Sequence, residues 1–351
     1  MMPGALGFDQ WFAAQAAQRG LDACGVARIS AVARGSYRIR DAARDVPAEL
    51  SGRLAYRIAS AADLPCVGDF VAADVSAEDA AAIIHQVLPR KTFLRRKRPG
   101  QGLDFQMIAA NVDTAFLVQS CHFDFNPNRL ERYLAMAGDG GVEPVVVLTK
   151  TDLITREDLE HKLDILRTVT RCSVIACSMV TGGGCDALAR LLSPGRTYCL
   201  LGSSGVGKTT LLNRLVGREA FATQAVSSTG EGIHTTTRRQ LAVLGNGAMV
   251  IDTPGMRELG VLGVDQGFDG GFEEIAALSA HCRYADCSHQ GEPGCAVRVA
   301  LENGELHHDR YANYLKLKKE SEYHGMSSLE KRKKDRNFGR FLKSVKKRQD
   351  D

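Results

Sequence analysis

No stretch of this 351-residue chain is long, apolar and free of charge enough to span a bilayer as a helix. An integral helical membrane protein is therefore not expected. The N-terminal stretch MMPGALGFDQWFAAQAAQRG lacks a basic segment followed by a clean apolar core, so no secretory signal is expected either. Cysteine is not dense: of ten, seven are scattered among apolar residues and three fall between 282 and 295. That excludes a disulfide-stapled scaffold and fits reduced thiols plus one metal site in a cytoplasmic protein. A strong overall field is also missing, since the net charge is only +4.

What is present is the composition of a soluble globular chain, 44% apolar and 25% charged, long enough for two or three domains. The charge is uneven. PRKTFLRRKRPG (89–100) and the tail after Lys316, including EKRKKDRNFGRFLKSVKKRQ, are basic clusters of the kind that bind polyanions. Residues 1–28 read as a short amphipathic helical extension, with Phe8, Trp11, Phe12 and Ala16 at helical spacing. From 29 to 95 short alternating segments follow (GSYRIRDA, GRLAYRIAS, GDFVAADV, AAIIHQVLP), a pattern of short strands that suggests a small barrel of OB type.

From about 105 to 255 apolar strands alternate with helices: TAFLVQS, PVVVLT, SVIACS, TYCLLG, RQLAVLG and AMVID. Asn126 caps and Pro127 opens a helix between the first two, with Gly138 at its stop. Such alternation argues for a parallel sheet covered on both faces, with ligands at the carboxyl ends of its strands. The expected division is a helical extension at 1–28, a barrel and basic linker at 29–100, an α/β domain at 101–270, a metal-binding domain at 271–315 and a basic helix or tail at 316–351.

Gly202-Ser203-Ser204-Gly205-Val206-Gly207-Lys208-Thr209 is a complete P-loop between a strand and a helix, with Thr210 following. Its glycines let backbone N–H groups wrap a phosphate at a helix N-terminus. Lys208 supplies a point charge to the β/γ-phosphates, and Thr209 offers a hydroxyl to Mg²⁺. In MVIDTPGMREL, Asp252 ends a strand where a carboxylate helps hold Mg²⁺, and Gly255 lets an N–H approach the γ-phosphate. Upstream, LTKTDL places Thr149, Lys150, Thr151 and Asp152 at the end of PVVVL. Asp152 can accept both hydrogen bonds from the N1–H and N2–H₂ edge of guanine, which adenine cannot donate. The base reader thus precedes the P-loop, the reverse of the ordinary order, as a re-cut α/β domain with joined termini allows.

Met256 stands where ordinary GTPases carry a water-orienting glutamine, so slow intrinsic hydrolysis is expected. His234 in GIHTTT is the internal candidate for positioning water, and one of Thr235–Thr237, Thr235 first, should close on Mg²⁺. Cys282-x₄-Cys287-x-His289-x₅-Cys295 offers three thiolates and an imidazole, the ligand set of a closed structural zinc site with one ion per chain; His281 is the reserve ligand.

From about 30 to 315 the chain resembles the circularly permuted small-ribosomal-subunit-dependent GTPases of the RsgA/YjeQ family, most specifically in IAANVDTAFLVQS, GSSGVGKTTLLN, HTTTRRQL, IDTPGMREL and CRYADCSHQGEPGCAV. The resemblance implies an N-terminal OB-fold barrel, a permuted P-loop GTPase domain and a helical zinc-bearing C-terminal domain. It also implies GTP hydrolysis with Mg²⁺, stimulated by the 30S subunit during its late maturation, binding of its rRNA, and a cytoplasmic monomer. Two positions depart from the family pattern: Ile233 where arginine is usual, and Met179 where a small alanine follows the serine near the base. A P-loop ATPase or kinase, and an RNA-binding module with a vestigial nucleotide site, are the alternatives; Asp152 speaks against the first, and Lys208, Thr209 and Asp252 against the second.

Overall fold

Five short strands close on themselves at the N-terminal end of the chain. They are β1 (Gly25–Ala33), β2 (Ser36–Arg40), β3 (Asp45–Leu50), β4 (Phe70–Asp74) and β5 (Ala82–Val87). The pairing runs β1-β2-β3-β5-β4 and returns from β4 to β1, with β3–β5 the only parallel contact among the described residues of this part, which makes the expected barrel. The computed structural model describes residues 5–21, 25–33, 35–41, 44–74, 81–97, 105–122, 124–203, 205–216, 239–252 and 272–306, together with 308, 310–312, 314, 315 and 318. The barrel is filled by Ile29, Ile39, Val71 and Ile84, contributed from alternate positions of its strands.

Three local expectations change. The N-terminal helix α1 covers only Gln10–Ala17, capped by the Asp9 carboxylate accepting from Trp11 and Phe12 N–H, and its Phe8–Phe12 face packs on Phe70 and Leu88. GRLAYRIAS is not a strand but helix α2 (Gly52–Arg57), because Ser51 Oγ accepts from Leu54 N–H and starts a turn. The basic stretch 89–100 is not simply a solvated linker. Its residues Phe93–Lys97 form β6, paired antiparallel with β7 (Phe105–Ala110). Arg90 is spent on both oxygens of buried Asp69, and Arg95 on Asp139 with its guanidinium 4.1 Å from the Phe105 ring centre.

The α/β part is built from β8 (Thr114–Ser120), α3 (Pro127–Asp139), β9 (Glu143–Thr149), α4 (Arg156–Val169), β10 (Val174–Ala176), α5 (Cys185–Leu191), β11 (Thr197–Leu201), α6 (Lys208–Val216), β12 (Arg239–Val243) and β13 (Met249–Asp252). Asn126 Oδ1 caps α3 as expected, but the helix passes Gly138 and ends at Asp139. The sheet order is β10-β9-β8-β11-β13-β12, parallel except for β12. Strands β8, β9 and β10 march outward, then the chain returns to lay β11 against β8. This is the permuted order. Along β8, Ala115 and Leu117 face the core shared with Tyr133 and Leu134 of α3, whereas Phe116 and Val118 face Leu188 of α5 and Leu211 of α6. Both faces are therefore covered, and the strands read as nearly continuous apolar runs.

Strand β12 has a second neighbour: β1 of the barrel pairs with it at Ala31↔Gln240 and Val32↔Arg239, so barrel and α/β sheet are one hydrogen-bonded sheet. Arg28, 1% exposed, locks the same junction. It donates to the carbonyls of Gly68, Leu6 and Asn111 and to Thr197 Oγ1. At the other end, α7 (Glu273–Ser279) and α8 (Ala296–Glu302) form a small core with Phe272 and Leu306 that includes Ala135 of α3. Arg310 reaches from this unit to Glu274 and to buried Glu131 on α3.

Candidate nucleotide and metal sites

The strand order reverses between β8 and β11, and a crevice at such a point is where open α/β sheets bind ligands. The P-loop leaves β11 there. Gly205 and Gly207 take positive φ (81° and 98°), and a Cβ on Gly202 would sit 2.3 Å from the Val118 carbonyl oxygen. Only glycine allows the loop to lie this close to β8. Lys208 opens α6 with its ammonium inside the loop, donating to Gly202 O (2.8 Å) and Ser203 O (2.6 Å). Burial lowers its pKa to about 8, with Asp252 and then Asp124 pulling upward. Thr209 is half-buried beside it, and Thr210 points outward. Asp252, 3% exposed, ends β13 next to Leu200 of the P-loop strand. A hydroxyl and a buried carboxylate at this spot are hard oxygen donors that fit Mg²⁺.

The candidate base reader, residues 149–152, begins against this loop. Thr149, at the end of β9, is 1% exposed, and its hydroxyl donates to the Val206 carbonyl oxygen at 2.6 Å, a contact bridging 57 residues of sequence. Lys150 follows in a left-handed conformation (φ 60°), which turns the chain into the short helical turn Thr151–Leu153. Asp152 Oδ1 accepts from Ser178 Oγ at 2.5 Å, and Ser178 also accepts from the Val180 and Thr181 N–H groups, so the loop after β10 holds the carboxylate in place. Met179 is half-buried beside this contact. The structure thus brings together Thr149, Lys150, Thr151, Asp152, Gly202, Ser203, Gly205, Val206, Gly207, Lys208, Thr209 and Asp252. Ser204, Ile233, His234, Thr235–Thr237, Gly255 and Met256 lie outside the described residues, as does the tail from 319 onward.

One member of this site escaped the sequence reading. Asp124, in the loop after β8, accepts from Ser203 Oγ (3.1 Å) and pairs with Arg129 Nη2 (2.8 Å). A carboxylate two residues before a helix cap looks like an ordinary loop residue; its only sequence signal is its place just past an apolar strand.

In the C-terminal unit the Sγ atoms of Cys282, Cys287 and Cys295 and a ring nitrogen of His289 all lie within 4.8 Å of one another. Cys282 Sγ and Cys295 Sγ are 3.9 Å apart, and His289 Nδ1 is 3.6 Å and 3.5 Å from them. Tetrahedral zinc bonds put such edges at about 3.8 Å for S–S and about 3.6 Å for S–N. The Ser279 hydroxyl donates to Ile275 O, so it accepts from His289 Nε2–H at 3.0 Å, which leaves the Nδ1 lone pair aimed at the thiols. Burial and the neighbouring thiols push Cys287 up to about 11. For Cys282 burial acts upward too, but the N–H groups of Ala296 and Val297 outweigh it and lower the thiol, as suits a thiolate ligand. The donor set fits a metal ion. His281 is exposed and outside the cluster.

Comparison with known proteins points to one family. The sequence pattern of the RsgA GTPase family matches residues 87–262. The chain is 45% identical to the small ribosomal subunit biogenesis GTPase RsgA 2 of Lactiplantibacillus plantarum, over 92% of this chain and 91% of that protein. It is 43% identical to the small ribosomal subunit biogenesis GTPase RsgA of Opitutus terrae, over 92% and 90%. Among solved structures it superposes on YjeQ from Thermotoga maritima with a TM-score of 0.60 at 26% identity, covering 83% of this chain and 96% of that one. It superposes equally on YloQ, a circularly permuted GTPase, with a TM-score of 0.59 at 25% identity, covering 87% and 97%.

Proposed function

As the chain belongs to the RsgA GTPase family, we propose that it binds GTP at the switch point of its sheet and hydrolyses it in response to the small ribosomal subunit, during late maturation of that subunit. The observation that carries this reading is the hydrogen bond from Thr149 Oγ1 to Val206 O. It ties the segment read as the base reader to the segment read as the phosphate cradle, as one nucleotide spanning both would require. Asp152, steadied by Ser178, would take the guanine edge, and Lys150 would lay its stem along the base. The P-loop N–H groups and Lys208 would hold the phosphates. Mg²⁺, held by Thr209 and Asp252, would neutralise charge developing between the β- and γ-phosphates. His234 would orient the attacking water, with Thr235 and the Gly255 N–H closing around the γ-phosphate.

Around this centre, the barrel and basic stretch at 29–100 and the Cys/His unit at 271–315 would dock on rRNA, with the basic tail from 316 adding charge, in the cytoplasm and as a monomer. The unit at 271–315 would carry one structural zinc on Cys282, Cys287, His289 and Cys295. GTP would favour the docked state, and hydrolysis would release it. A single assay tests the centre of this reading: turnover of GTP and of ATP with and without purified small subunits. We expect slow basal GTP hydrolysis, strong stimulation by subunits and little ATP turnover. His234→Ala should lose most of the stimulated rate; a variant that keeps it removes His234 from the mechanism, and equal ATP turnover removes Asp152 as base reader.

A further inference from the structure

Asp124 stands where the two halves of the nucleotide site meet, yet it touches neither motif in sequence. Its loop follows β8, the P-loop follows β11, and these strands are neighbours at the point where the sheet order reverses. One carboxylate oxygen, Oδ2, accepts from the Ser203 hydroxyl at 3.1 Å and from Arg129 Nη2 at 2.8 Å. The Asp124 backbone carbonyl accepts from the same guanidinium. Arg129 is itself fixed at the start of α3, where the Asn126 cap receives its N–H. The helix thus anchors the arginine, the arginine anchors the carboxylate, and the carboxylate anchors the second residue of the P-loop.

The charge of this group reaches further. Lys208 on the phosphate side and Lys150 on the base side both feel the Asp124 carboxylate. Burial pushes its pKa upward, and Arg129, the Ser203 hydroxyl and Lys208 oppose that push. Because Arg129 neutralises it locally, the carboxylate need not repel a bound phosphate; its larger effect is orientational.

We propose that Asp124 is a positioning residue that clamps the P-loop, through Ser203, to the loop after β8 and the start of α3, beside the strand that carries the candidate base reader, and so sets how long a guanine nucleotide stays bound. The proposal rests on the nucleotide site described above. The clamp acts on binding and leaves the chemical step alone. Its loss should raise KM for GTP and hasten GDP release while kcat at saturating GTP stays within about twofold.

The test measures release of a fluorescent GDP analogue by stopped flow, and basal GTP turnover, on the full chain. Asp124→Ala should speed release by about tenfold, the scale of one charge-assisted hydrogen bond. Asp124→Asn, which keeps an acceptor for Ser203, should recover most of the residence time. Ser203→Ala removes the other half of the contact, should speed release similarly, and should add little when combined with Asp124→Ala. Should Asp124→Ala fold poorly, Ser203→Ala against Asp124→Asn carries the same comparison. Wild-type release rates in both Asp124→Ala and Ser203→Ala overturn the clamp, as do full additivity of the two or a fall in kcat at unchanged KM. If the wild-type protein binds no guanine nucleotide, the reading of the site itself falls, and the clamp with it.

Discussion

Lys208 concentrates the electrostatics of the site. An ammonium buried in a loop of backbone dipoles is costly without an anion, which is why its pKa drops to about 8 from the ordinary 10.5. Bound phosphates reverse the balance and raise it. Below pH 8 the lysine is already charged and would bind GTP without taking up a proton. Above pH 8 each binding event must protonate it, so affinity should fall as pH rises, approaching tenfold per unit. Calorimetry in buffers of different ionisation enthalpy should show proton uptake at pH 9 and little at pH 7; pH-independent affinity between 7 and 9.5 would remove this account. In the nucleotide-free protein the same shift has the opposite sign for folding. Between pH 8 and 10.5 the unfolded chain holds a proton the native one lacks, so this lysine's contribution to stability improves with pH. At this scale the sequence was highly legible wherever one short motif carries its own chemistry. Lys208, Thr149 and the Cys282–Cys295 cluster were singled out that way. Asp124 and Arg28 were not, because the contacts that place them in the site and the seam, to Ser203 and Thr197, span 79 and 169 residues and leave no local pattern.

At the scale of elements, the buried parallel strands were readable to within a residue or two, since a strand covered on both faces must be apolar throughout. Short amphipathic pieces were harder. In GRLAYRIAS, Leu54 and Ile58 fit either period, and the Ser51 cap decided for helix. The basic run at 89–100 read as linker because its arginines were counted as free charge, whereas Arg90 and Arg95 are consumed by Asp69 and Asp139. Two predictions belong here. Gly202→Ala drives a methyl into the Val118 carbonyl at 2.3 Å, backbone against backbone, so the β8–β11 seam must open. We expect it to abolish nucleotide binding and to cost ~2 kcal/mol or more of stability, read by denaturant titration. The Cys282–Cys295 loop should retain one zinc per chain through mild dialysis, by elemental analysis, and His289→Ala should lose it; retention of metal by that variant would assign the fourth ligand elsewhere.

The whole molecule is tied together by contacts no motif announces. Arg310 joins the Cys/His unit to α3 through Glu131, and Arg28 joins the barrel to the α/β sheet through Thr197 and Asn111. The sequence placed a barrel, a permuted P-loop domain and a Cys/His unit in order, but not how they meet, since such seams are made of long-range pairs. Strand β12, bordered by β13 on one side and by barrel strand β1 on the other, has a practical consequence. A chain begun at residue 101 would strip β12 of its outer partner and leave bare N–H and C=O groups along a solvent-facing margin, an invitation to stack with other copies. Light scattering should find such a fragment self-associating where the full chain does not. The barrel is thus also the sheet's guard rail, and evolution could not discard it without first blunting the rim it covers.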